Sequence, residues 1–384
     1  NCPWPSGGSV SVAGQRKKSS RSMAVSKSRR LRVIFFIPNL AGGGAERVLI
    51  NLLKHLDRTQ FDPHLVVSRF EGPHVHSVPT DVRVTELKSR SLWTVAPKLI
   101  KVIRNQEPDV VVSTTGGGGI PTVLAHRVAG SRARLIVWER SVLVGSERGI
   151  KRTLMLKLKK ILWPRADLVT AVGTAVEEDI RKQTGLDPSK TRVLYSPILD
   201  QEMERLSKVE VAHHWFEEKV PIILCVARLV PLKDHETLLR GFARLLEKRE
   251  VRLVLLGDGP LRIELEQLAE QLGISSSVWF AGFVENPFNY MRRSSLLALT
   301  SLHEGMPGVV VQAMACGLPV IGTASPGGTS EIVQHEQTGL LIPMRDPDAF
   351  FKAACRLLDE TRFARQLADK AREYVCLLYT SPSP

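Results

Sequence analysis

The stretch PIILCVARLVPLKDHETLL, residues 221–239, combines the two local patterns on which the fold depends. Its apolar, β-rich first part predicts a buried strand, and its last part follows a helical pattern that begins near Asp234. A buried strand followed by a helix is the repeating unit of a parallel sheet with crossover helices. Because the same alternation continues on both sides of this stretch, we predict an α/β protein.

Two sets of strands are predicted, one in each half of the chain. The predicted strands are 32–37, 63–68, 82–87, 109–113, 134–138, 167–172 and 192–195 in the first half, and 221–227, 251–256, 278–283, 296–300, 319–322 and 339–342 in the second. A length of 384 residues is also too great for one ordinary core. We therefore predict two Rossmann-like domains, residues 31–198 and 220–375, joined by a charged linker at 199–219.

Both ends of the chain differ from the pattern between them. The first 32 residues contain eight Lys or Arg and no Asp or Glu, and the whole chain has a formal charge of +14. More than half of the excess charge therefore lies in these 32 residues. They contain a basic tail that we expect to be disordered over residues 1–30 and foreign to the native protein before Met23. At the other end, the helical pattern breaks at Cys376, so we expect 376–384 to be a non-native tail that lies outside the fold.

Cysteine usage and hydropathy indicate the compartment. The five cysteines are scattered and odd in number, which argues against a disulfide framework and favours a reducing environment. No segment reaches the ~18 apolar residues of a membrane span. The basic N-terminal stretch is not followed by the apolar segment of a signal peptide. We predict a cytoplasmic protein.

Two cations, Arg228 and Lys233, lie between the strand at 221–227 and the helix that begins near Asp234. In parallel sheets, ligands bind beyond the carboxyl ends of the strands, where helix N-termini converge. A guanidinium group can bind two phosphate oxygens at once, and an ammonium group adds a mobile point charge. The pair therefore predicts a diphosphate site, although both residues could instead be solvated loop residues.

A second motif, SLHEGMPGVVVQAMACGLPVIGT, spans residues 301–323. Glu304 ends an apolar strand, Gly305 and Gly308 allow the backbone to approach a ligand closely, and Pro307 suits the first turn of a helix. The N-terminal amides of that helix would face an anion or the hydroxyl groups of a sugar. We expect Glu304 to accept hydrogen bonds from such hydroxyls.

These motifs resemble a known family in their order as well as their residues. The stretch from Pro221 to Val333 resembles the C-terminal domain of family 4 retaining glycosyltransferases, which have the GT-B fold. The similar segments are VARLVPLKDHETLL, VLLGDGPLR, FAGFVEN, AMACGLPVI and SPGGTSEIV. The segment IPNLAGGGAERVLINLL resembles the opening glycine-rich loop and helix of the same family, so the likeness covers about residues 31–375. It implies two Rossmann-like domains whose sheets face each other across a cleft.

The resemblance also implies a set of site residues. It assigns the donor diphosphate and the transferred sugar to one set in the second domain, Arg228, Lys233, Glu304, Gly305, Met306 and Pro307. Gln312 stands where the family usually has a second Glu, which binds the ribose hydroxyls of the nucleotide, so we expect weaker or altered ribose recognition. In the first domain, Gly42, Gly43 and Gly44 match the loop that approaches the donor phosphates. Glu139 lies where many relatives have a His that lines the catalytic cleft.

The activity implied by the resemblance is the transfer of a sugar from a nucleotide-sugar, most simply a UDP-sugar, to a hydroxyl group of a lipid-linked or growing glycan. The transfer would retain the anomeric configuration and need neither a metal ion nor another cofactor. The sequence Asp346-Pro347-Asp348 has the spacing of a metal-diphosphate motif, but it opens a helix and fits an N-cap better. Nucleic acid is not expected as a partner, because no basic stretch is interleaved with aromatic residues.

Three other functions are alternatives to this one. A sugar-nucleotide epimerase of the same fold would need catalytic acids that the sequence does not identify. A non-enzymatic membrane-surface binder would fit the positive charge. A dinucleotide oxidoreductase is disfavoured, because the motif G-x-G-x-x-G would need a glycine where the chain has Arg47.

The segment IKRTLMLKLKKILWPR, residues 150–165, is a basic amphipathic helix by its spacing. Its predicted apolar arc contains Ile150, Leu154, Met155, Leu158, Ile161 and Leu162, and the basic residues outside that arc are Arg152, Lys157, Lys159 and Lys160. The apolar arc could pack on the sheet, or the helix could lie on an anionic membrane such as the inner face of the plasma membrane. The two interpretations are compatible.

Overall fold

A computed structural model of the protein describes residues 29–41, 43–143, 150–199 and 202–380. The predicted basic tail up to residue 28, Gly42 of the glycine-rich loop and residues 381–384 lie outside this described part. Within it, the chain forms two parallel sheets, one from each half, with helices between successive strands. All thirteen predicted strands are present there, and their ends agree with the predicted ones to within two residues. The predicted α/β fold class is confirmed.

The first sheet has seven strands in the order β3-β2-β1-β4-β5-β6-β7. These strands are β1 Leu31–Ile37, β2 Phe61–Val67, β3 Arg83–Glu86, β4 Val110–Ser113, β5 Arg134–Glu139, β6 Leu168–Ala171 and β7 Thr191–Val193. Strand β1 pairs in parallel with both β2 and β4. Strands β2 and β3 lie on one side of β1, and strands β4 to β7 lie on the other, so the strand order reverses at β1. Such switch points form a crevice at the carboxyl ends of the strands.

The helices of the first domain cover both faces of this sheet. They are α1 Gly44–His55, α2 Leu92–Gln106, α3 Gly116–Val128, α4 Ile150–Leu162 and α5 Thr174–Thr184. Helix α1 buries Val48, Leu49, Ile50 and Leu53 on one side, which is the spacing of a helix that packs on a sheet. Helix α2 is capped by Ser91, whose side chain accepts a hydrogen bond from the backbone amide of Thr94.

The connection between the domains is folded. It contains helix α6, Glu202–Ser207, and a short 3₁₀ helix, His214–Phe216. The side-chain amide of Asn286 donates a hydrogen bond of 2.9 Å to the carbonyl of Leu206, and the His213 ring stacks on Trp279 at 3.8 Å between centroids. The predicted linker therefore packs against the second domain.

The second sheet has six strands in the order β10-β9-β8-β11-β12-β13. They are β8 Ile222–Val226, β9 Arg252–Leu256, β10 Val278–Gly282, β11 Leu296–Leu299, β12 Val320–Thr323 and β13 Leu340–Ile342. All their pairings are parallel. Strand β8 pairs with β9 on one side and β11 on the other, so this domain repeats the switch point of the first.

The helices of the second domain are α7 His235–Leu246, α8 Arg262–Gln271, α9 Phe288–Arg293, α10 Gly308–Ala315, α11 Thr329–Ile332, α12 Pro347–Asp359 and α13 Thr361–Thr380. Helix α12 begins as predicted, because Oδ1 of Asp346 accepts a hydrogen bond of 2.8 Å from the backbone amide of Ala349. Among the helices of the described residues, none has both the length and the apolar character needed to cross a bilayer.

The end of α13 differs from the prediction that the helical pattern stops at Cys376. The helix continues to Thr380, and it does so because its apolar face continues: Ala371 and Val375 are buried, and Leu378 and Tyr379 pack on the same core. The ring of Tyr379 lies 6.1 Å from the ring of Tyr195, between centroids, which brings this last helix back to the first domain.

Candidate active site

A cavity of about 570 Å³ lies between the two domains, at the carboxyl ends of both sheets. This volume is within the ~300–1,000 Å³ that is usual for small-molecule sites. The first domain lines it with Ala41, Gly43, Gly44, Arg47, Val48, Asn51, Pro73, His74 and Ile198. The second domain lines it with Val226, Ala227, Arg228, Lys233, Leu256, Gly257, Asp258, Phe283, Val284, Pro287, Glu304, Met306, Pro307, Gly308, Val309 and Gln312. Most of the predicted site residues therefore meet at one place.

The ammonium group of Lys233 donates a hydrogen bond to Oε1 of Glu304 inside this cavity. Their side chains are only 19% and 11% exposed. The loop that carries Lys233 is fixed by Thr300, whose hydroxyl donates to the carbonyls of Lys233 and Asp234 at 3.1 and 2.9 Å. Asp234 itself has a left-handed backbone with φ of 44°, and helix α7 begins directly after it. The two motifs at 221–239 and 301–323 therefore meet in this cavity.

Arg228 lines the cavity from the loop after β8. This loop is joined to the loop after β9, since the amide of Leu229 donates to the carbonyl of Asp258 at 3.0 Å. Gly257 allows the two loops to meet: its φ is 143°, and a Cβ there would overlap the carbonyl oxygen of Ala227. Two adjacent strand ends therefore hold the backbone of Arg228 at the cavity wall.

The segment around Glu304 is held by backbone contacts on both sides. The amide of Glu304 donates to the carbonyl of Pro326 at 3.1 Å, and the amide of Gly328 donates to the carbonyl of Gly305 at 2.7 Å. A side chain at Gly305 would overlap the carbonyl oxygen of Arg140, which belongs to the first domain. Gly305 is not itself a lining residue; it is the point at which the two domains touch beside Glu304.

Helix α10 starts at the cavity, and its residues supply part of the wall. Met306 and Pro307 precede the helix, Gly308 begins it, and Gln312 lies one turn further along. The Gln312 side chain is 8% exposed and lines the cavity. A buried amide at this position can both donate and accept hydrogen bonds, whereas a carboxylate could only accept.

On the first-domain side, Gly43 and Gly44 stand at the start of α1, and no packing neighbour among the described residues lies within 4 Å of a Cβ built on Gly44. A ligand can therefore approach the backbone there closely. Gly42, the third residue of the predicted loop, is outside the described residues.

Arg47 and His74 are lining residues that the sequence analysis did not propose for the site. One Nη of Arg47 donates to the carbonyl of Glu285 at 2.7 Å, and its guanidinium lies 5.3 Å from the ring centroid of Phe288. The His74 ring meets Phe283 edge to face at 6.1 Å, and burial lowers the pKa of His74. Both contacts cross between the domains. The signal in the sequence that points to Arg47 is the start of helix α1, in which this residue lies. Nothing in the sequence marks His74 as a cavity residue.

Glu139 is not placed in the cavity, contrary to the expectation from the sequence. It ends β5 as predicted, but it is only 1% exposed and its carboxylate accepts a hydrogen bond of 2.9 Å from Nζ of Lys159 on α4. Burial raises the pKa of Glu139, and the charge of Lys159 opposes that rise. Any side chain at Gly116 would overlap the carboxylate, so the group lies under the first turn of α3. The Glu139 carboxylate thus connects strand β5 to helices α3 and α4.

Arg140, the next residue, does not pair with Glu139. Its guanidinium donates to the hydroxyl of Ser196 at 3.2 Å and lies 4.6 Å from the ring centroid of Trp138. Burial lowers the pKa of Arg140 to about 10, so it stays charged at neutral pH. Together with its carbonyl contact to Gly305, this arrangement makes Arg140 part of the domain contact.

Two family models match the chain. The model described as glycosyl transferases group 1 matches residues 209–374, and the model described as glycosyltransferase family 4 matches residues 42–201. The chain belongs to glycosyltransferase family 4. The enzyme class predicted from the sequence is thereby confirmed, and the two matches correspond to the two domains.

Two curated glycosyltransferases are similar to this family 4 chain over most of its length. One is the N-acetylgalactosamine-N,N'-diacetylbacillosaminyl-diphospho-undecaprenol 4-alpha-N-acetylgalactosaminyltransferase of Campylobacter jejuni, which is 28% identical over 349 residues, covering 88% of this chain and 93% of the relative. Another is the N-acetyl-alpha-D-glucosaminyl L-malate synthase of Bacillus anthracis, 26% identical over 73% of each chain.

Solved structures show the same fold. HepE of Anabaena in complex with UDP-glucose superposes with a TM-score of 0.75 at 21% identity and covers 90% of this chain and 94% of its own. Sucrose-phosphate synthase of Thermosynechococcus elongatus superposes with a TM-score of 0.74 at 19% identity, with 91% and 95% covered. With two parallel α/β domains facing a shared cavity, this glycosyltransferase has the GT-B fold.

The charges of the cavity in this family 4 glycosyltransferase suit an anionic ligand. Among the described residues that line it, Arg47, Arg228 and Lys233 are cationic, and Asp258 and Glu304 are acidic. The side chain of Lys233 is only 19% exposed, and a cation removed from bulk water stabilises negative charge more strongly than a cation in solution. The arrangement can therefore bind a diphosphate and stabilise the charge that develops when a diphosphate leaves.

Proposed function

We propose that the protein transfers a sugar from a nucleotide-sugar, specifically a UDP-sugar, to a hydroxyl group of a lipid-linked or growing glycan acceptor. The transfer retains the configuration at the anomeric carbon and uses no metal ion or other cofactor. The contact between Lys233 and Glu304 at the wall of the cavity that Arg228 also lines is the observation that carries this proposal.

In the proposed complex, Arg228 and Lys233 bind the diphosphate of the donor. Because the Lys233 ammonium group now contacts the carboxylate of Glu304, phosphate oxygens can take over that contact when the donor binds. Glu304 is then available to accept hydrogen bonds from hydroxyl groups of the sugar. The transferred sugar and the diphosphate thus occupy neighbouring parts of one site.

The remaining parts of the donor are assigned to α10 and to the first domain. Gln312, on the cavity side of α10, faces the ribose in this arrangement. The backbone at Gly43 and Gly44 approaches the phosphates from the other domain, where the open space at Gly44 leaves room for them. Binding of the donor between the domains therefore makes contacts with both.

The proposed reaction breaks the bond between the anomeric carbon and the diphosphate oxygen. The acceptor oxygen bonds to the anomeric carbon from the same face, and its proton passes to an oxygen of the leaving diphosphate. Negative charge grows on the diphosphate during this step, and Arg228 and Lys233 are placed to stabilise it. The pair thus contributes more to the transition state than to the ground state.

Two relatives support the finer parts of the proposal. HepE was solved with UDP-glucose, which favours a UDP-sugar as donor. The name of the Campylobacter jejuni relative specifies a sugar bound to diphospho-undecaprenol as its acceptor, which favours a lipid-linked acceptor here. A lipid-linked acceptor would bring this protein to a membrane surface.

Calorimetric titration with UDP, GDP, ADP and NAD, in the presence of EDTA, tests the donor site. We expect UDP to bind without a metal ion and Arg228→Ala to weaken binding at least about tenfold, or ~1.4 kcal/mol. Arg240→Ala is the matched control, since Arg240 pairs with Glu236 on the surface of α7. Binding of NAD alone, or binding that is restored only by a divalent cation, would contradict the proposal.

A further inference from the structure

Helices α2, α3 and α4 form one layer of the first domain, and none of the three contains an Asp or Glu. The three crossovers that contain them run in one direction across the sheet, so the right-handed rule places the helices on one face, where neighbours contact each other. Their Lys and Arg residues are Lys98, Lys101, Arg104, Arg127, Lys151, Arg152, Lys157, Lys159 and Lys160. The layer ends at α5, where Glu177, Glu178 and Asp179 follow one another.

Helix α4 divides its apolar residues between two sides. Leu162 is buried, but Leu154 and Ile161, which the helical spacing had put in the same arc, are 52% and 54% exposed. Lys157 and Lys160 are exposed on the same outer side. Apolar and basic residues are therefore not cleanly divided between the two sides of α4. The Lys159 side chain turns inward to the buried carboxylate of Glu139 and occupies part of the inner face.

Helix α3, which contacts α4, also has exposed apolar residues. Leu124 is 38% exposed and Val128 is 60% exposed, four residues apart on one side of the helix, with Arg127 exposed beside them. Packing among the described residues does not explain large exposed apolar side chains in this number on two adjacent helices that also carry exposed basic residues. Such patches mark interaction sites.

We propose that the outer side of α3 and α4 docks on the surface of an anionic lipid bilayer. The docking face consists of Leu124, Val128, Leu154 and Ile161, which enter the headgroup region, and Lys157 and Lys160, which contact lipid phosphates. This inference rests on the proposed function, because docking on a bilayer would bring the enzyme to a lipid-linked acceptor.

The composition of the docking face favours a bilayer over other anionic partners. Proteins that bind single-stranded nucleic acid stack the bases on aromatic side chains, and neither α3 nor α4 contains Phe, Trp or Tyr. The mixture of exposed aliphatic and basic residues is instead that of a helix that lies in the membrane interface. The absence of acidic residues from three adjacent helices leaves nothing on them to repel lipid phosphates.

Sedimentation of the full chain with vesicles tests the docking face. The probes are vesicles of mixed phosphatidylglycerol and phosphatidylcholine, compared with phosphatidylcholine alone. A basic residue near an anionic surface contributes about a fivefold change in affinity, ~1 kcal/mol. We therefore expect Lys157→Glu/Lys160→Glu to lower the affinity at least about 25-fold, and Leu154→Ser/Ile161→Ser to remove the part of the binding that survives high salt.

Controls of the same chemistry lie in the second domain. Arg362→Glu/Arg365→Glu changes two exposed basic residues of α13, and Ile263→Ser changes an apolar residue that is 68% exposed. Both controls should bind vesicles as the wild type does. Binding that is equally strong in the docking-face variants would overturn the inference and assign membrane affinity to the basic tail. Preference for a poly-uridine RNA over the anionic vesicles, lost in the same variants, would overturn it in favour of nucleic acid.

The docking face and the proposed activity can fail separately. Calorimetric binding of UDP by Lys157→Glu/Lys160→Glu should match the wild type, because neither residue lines the cavity, and thermal melting should confirm that the variant is folded. Loss of vesicle binding with unchanged UDP binding supports docking at this face. Wild-type protein that binds vesicles but no nucleotide would leave the docking face intact and contradict the proposed function.

Discussion

The hydroxyl group of Tyr195 donates a hydrogen bond of 2.8 Å to Oε1 of Glu331, and this bond joins the first domain to helix α11 of the second. The same carboxylate accepts hydrogen bonds from the backbone amides of Thr174 and Ala175 at 3.2 and 3.3 Å. These amides begin α5, where the helix dipole favours a negative charge. Burial and the nearby carboxylate raise the pKa of Tyr195. One side chain of the second domain thus holds two segments of the first.

Loss of the Glu331 carboxylate should weaken the contact between the domains. We expect Glu331→Ala to lower the free energy of unfolding by about 2–3 kcal/mol, because hydrogen bonds to a charged group are lost, and Tyr195→Phe to lower it by about 1 kcal/mol. Chemical denaturation measures both. Glu373→Ala, on the exposed side of α13, is the control. If Glu331→Ala also increases the radius of gyration measured by X-ray scattering, the carboxylate holds the domains closed; no change in either quantity would contradict its role.

The ribose assignment of Gln312 predicts a gain when a carboxylate is introduced. We expect Gln312→Glu to tighten UDP binding about tenfold, since hydrogen bonds from ribose hydroxyls to a charged acceptor are roughly twice as strong as those to a neutral one. Gln312→Leu should weaken binding by a similar factor. Calorimetry with UDP and with 2′-deoxy-UDP provides the check, because the gain must shrink for the deoxy analogue. Equal gains for both nucleotides would mean that Gln312 does not face the ribose.

The strands and the Asp346 cap could be predicted from sequence because each depends on a short segment. The run at 221–227 is apolar and β-rich whatever surrounds it, and a side chain at an N-cap bonds to an amide three residues away. Arg228, Lys233 and Glu304 could be predicted for a related reason: each follows a strand, and parallel strand ends converge at one edge of a sheet.

Glu139 shows where that rule fails. Its position at a strand end suggested the cleft, but its carboxylate turns to Lys159, twenty residues later, on α4. The rotation of a helix over a sheet decides such a pairing, and local spacing does not report it. Arg47 and His74 were missed for a different reason: they reach the cavity only because the two domains meet, which brings them to Glu285 and Phe283.

The backbone at Gly327 should be sensitive to any side chain. Its φ is 106°, and a Cβ would overlap the carbonyl oxygen of Glu304. We expect Gly327→Ala to lower the free energy of unfolding by about 1–3 kcal/mol through backbone strain, and in addition to displace Glu304 and reduce transferase activity at least about tenfold. Activity measured under donor saturation, with chemical denaturation alongside, gives both quantities.

Gly317 provides a matched control for that variant. Its φ of 74° is also positive, but none of the described residues packs within 4 Å of a Cβ there. Gly317→Ala should therefore show the cost of a left-handed alanine, about 1–2 kcal/mol, with activity per folded molecule unchanged. If both variants lose activity equally, general strain rather than the position of Glu304 explains the loss.

His235 begins α7 and is 2% exposed, and neither of its ring nitrogens has a hydrogen-bond partner in the described part of the chain. Burial, with a smaller contribution from the Lys233 charge, lowers the pKa of His235 from its ordinary 6.5 to about 4. The folded protein therefore keeps this ring neutral between these two pH values, while the unfolded chain takes up a proton. The free energy of unfolding must fall as the pH is lowered from 6.5 towards 4.

Replacement of His235 by leucine should remove this part of the acid sensitivity. One such group contributes up to ~1.4 kcal/mol per pH unit to the slope, so His235→Leu should flatten the decline of the unfolding free energy by that amount. At pH values above the ordinary histidine pKa the variant should be at least as stable as the wild type, because it no longer buries polar nitrogens without partners. Urea denaturation at several pH values, with His55→Leu on the exposed side of α1 as control, measures the slopes. An unchanged slope in His235→Leu would mean that the folded protein protonates this ring and that the acid sensitivity arises elsewhere, for example at buried His64, whose pKa burial also lowers to about 4.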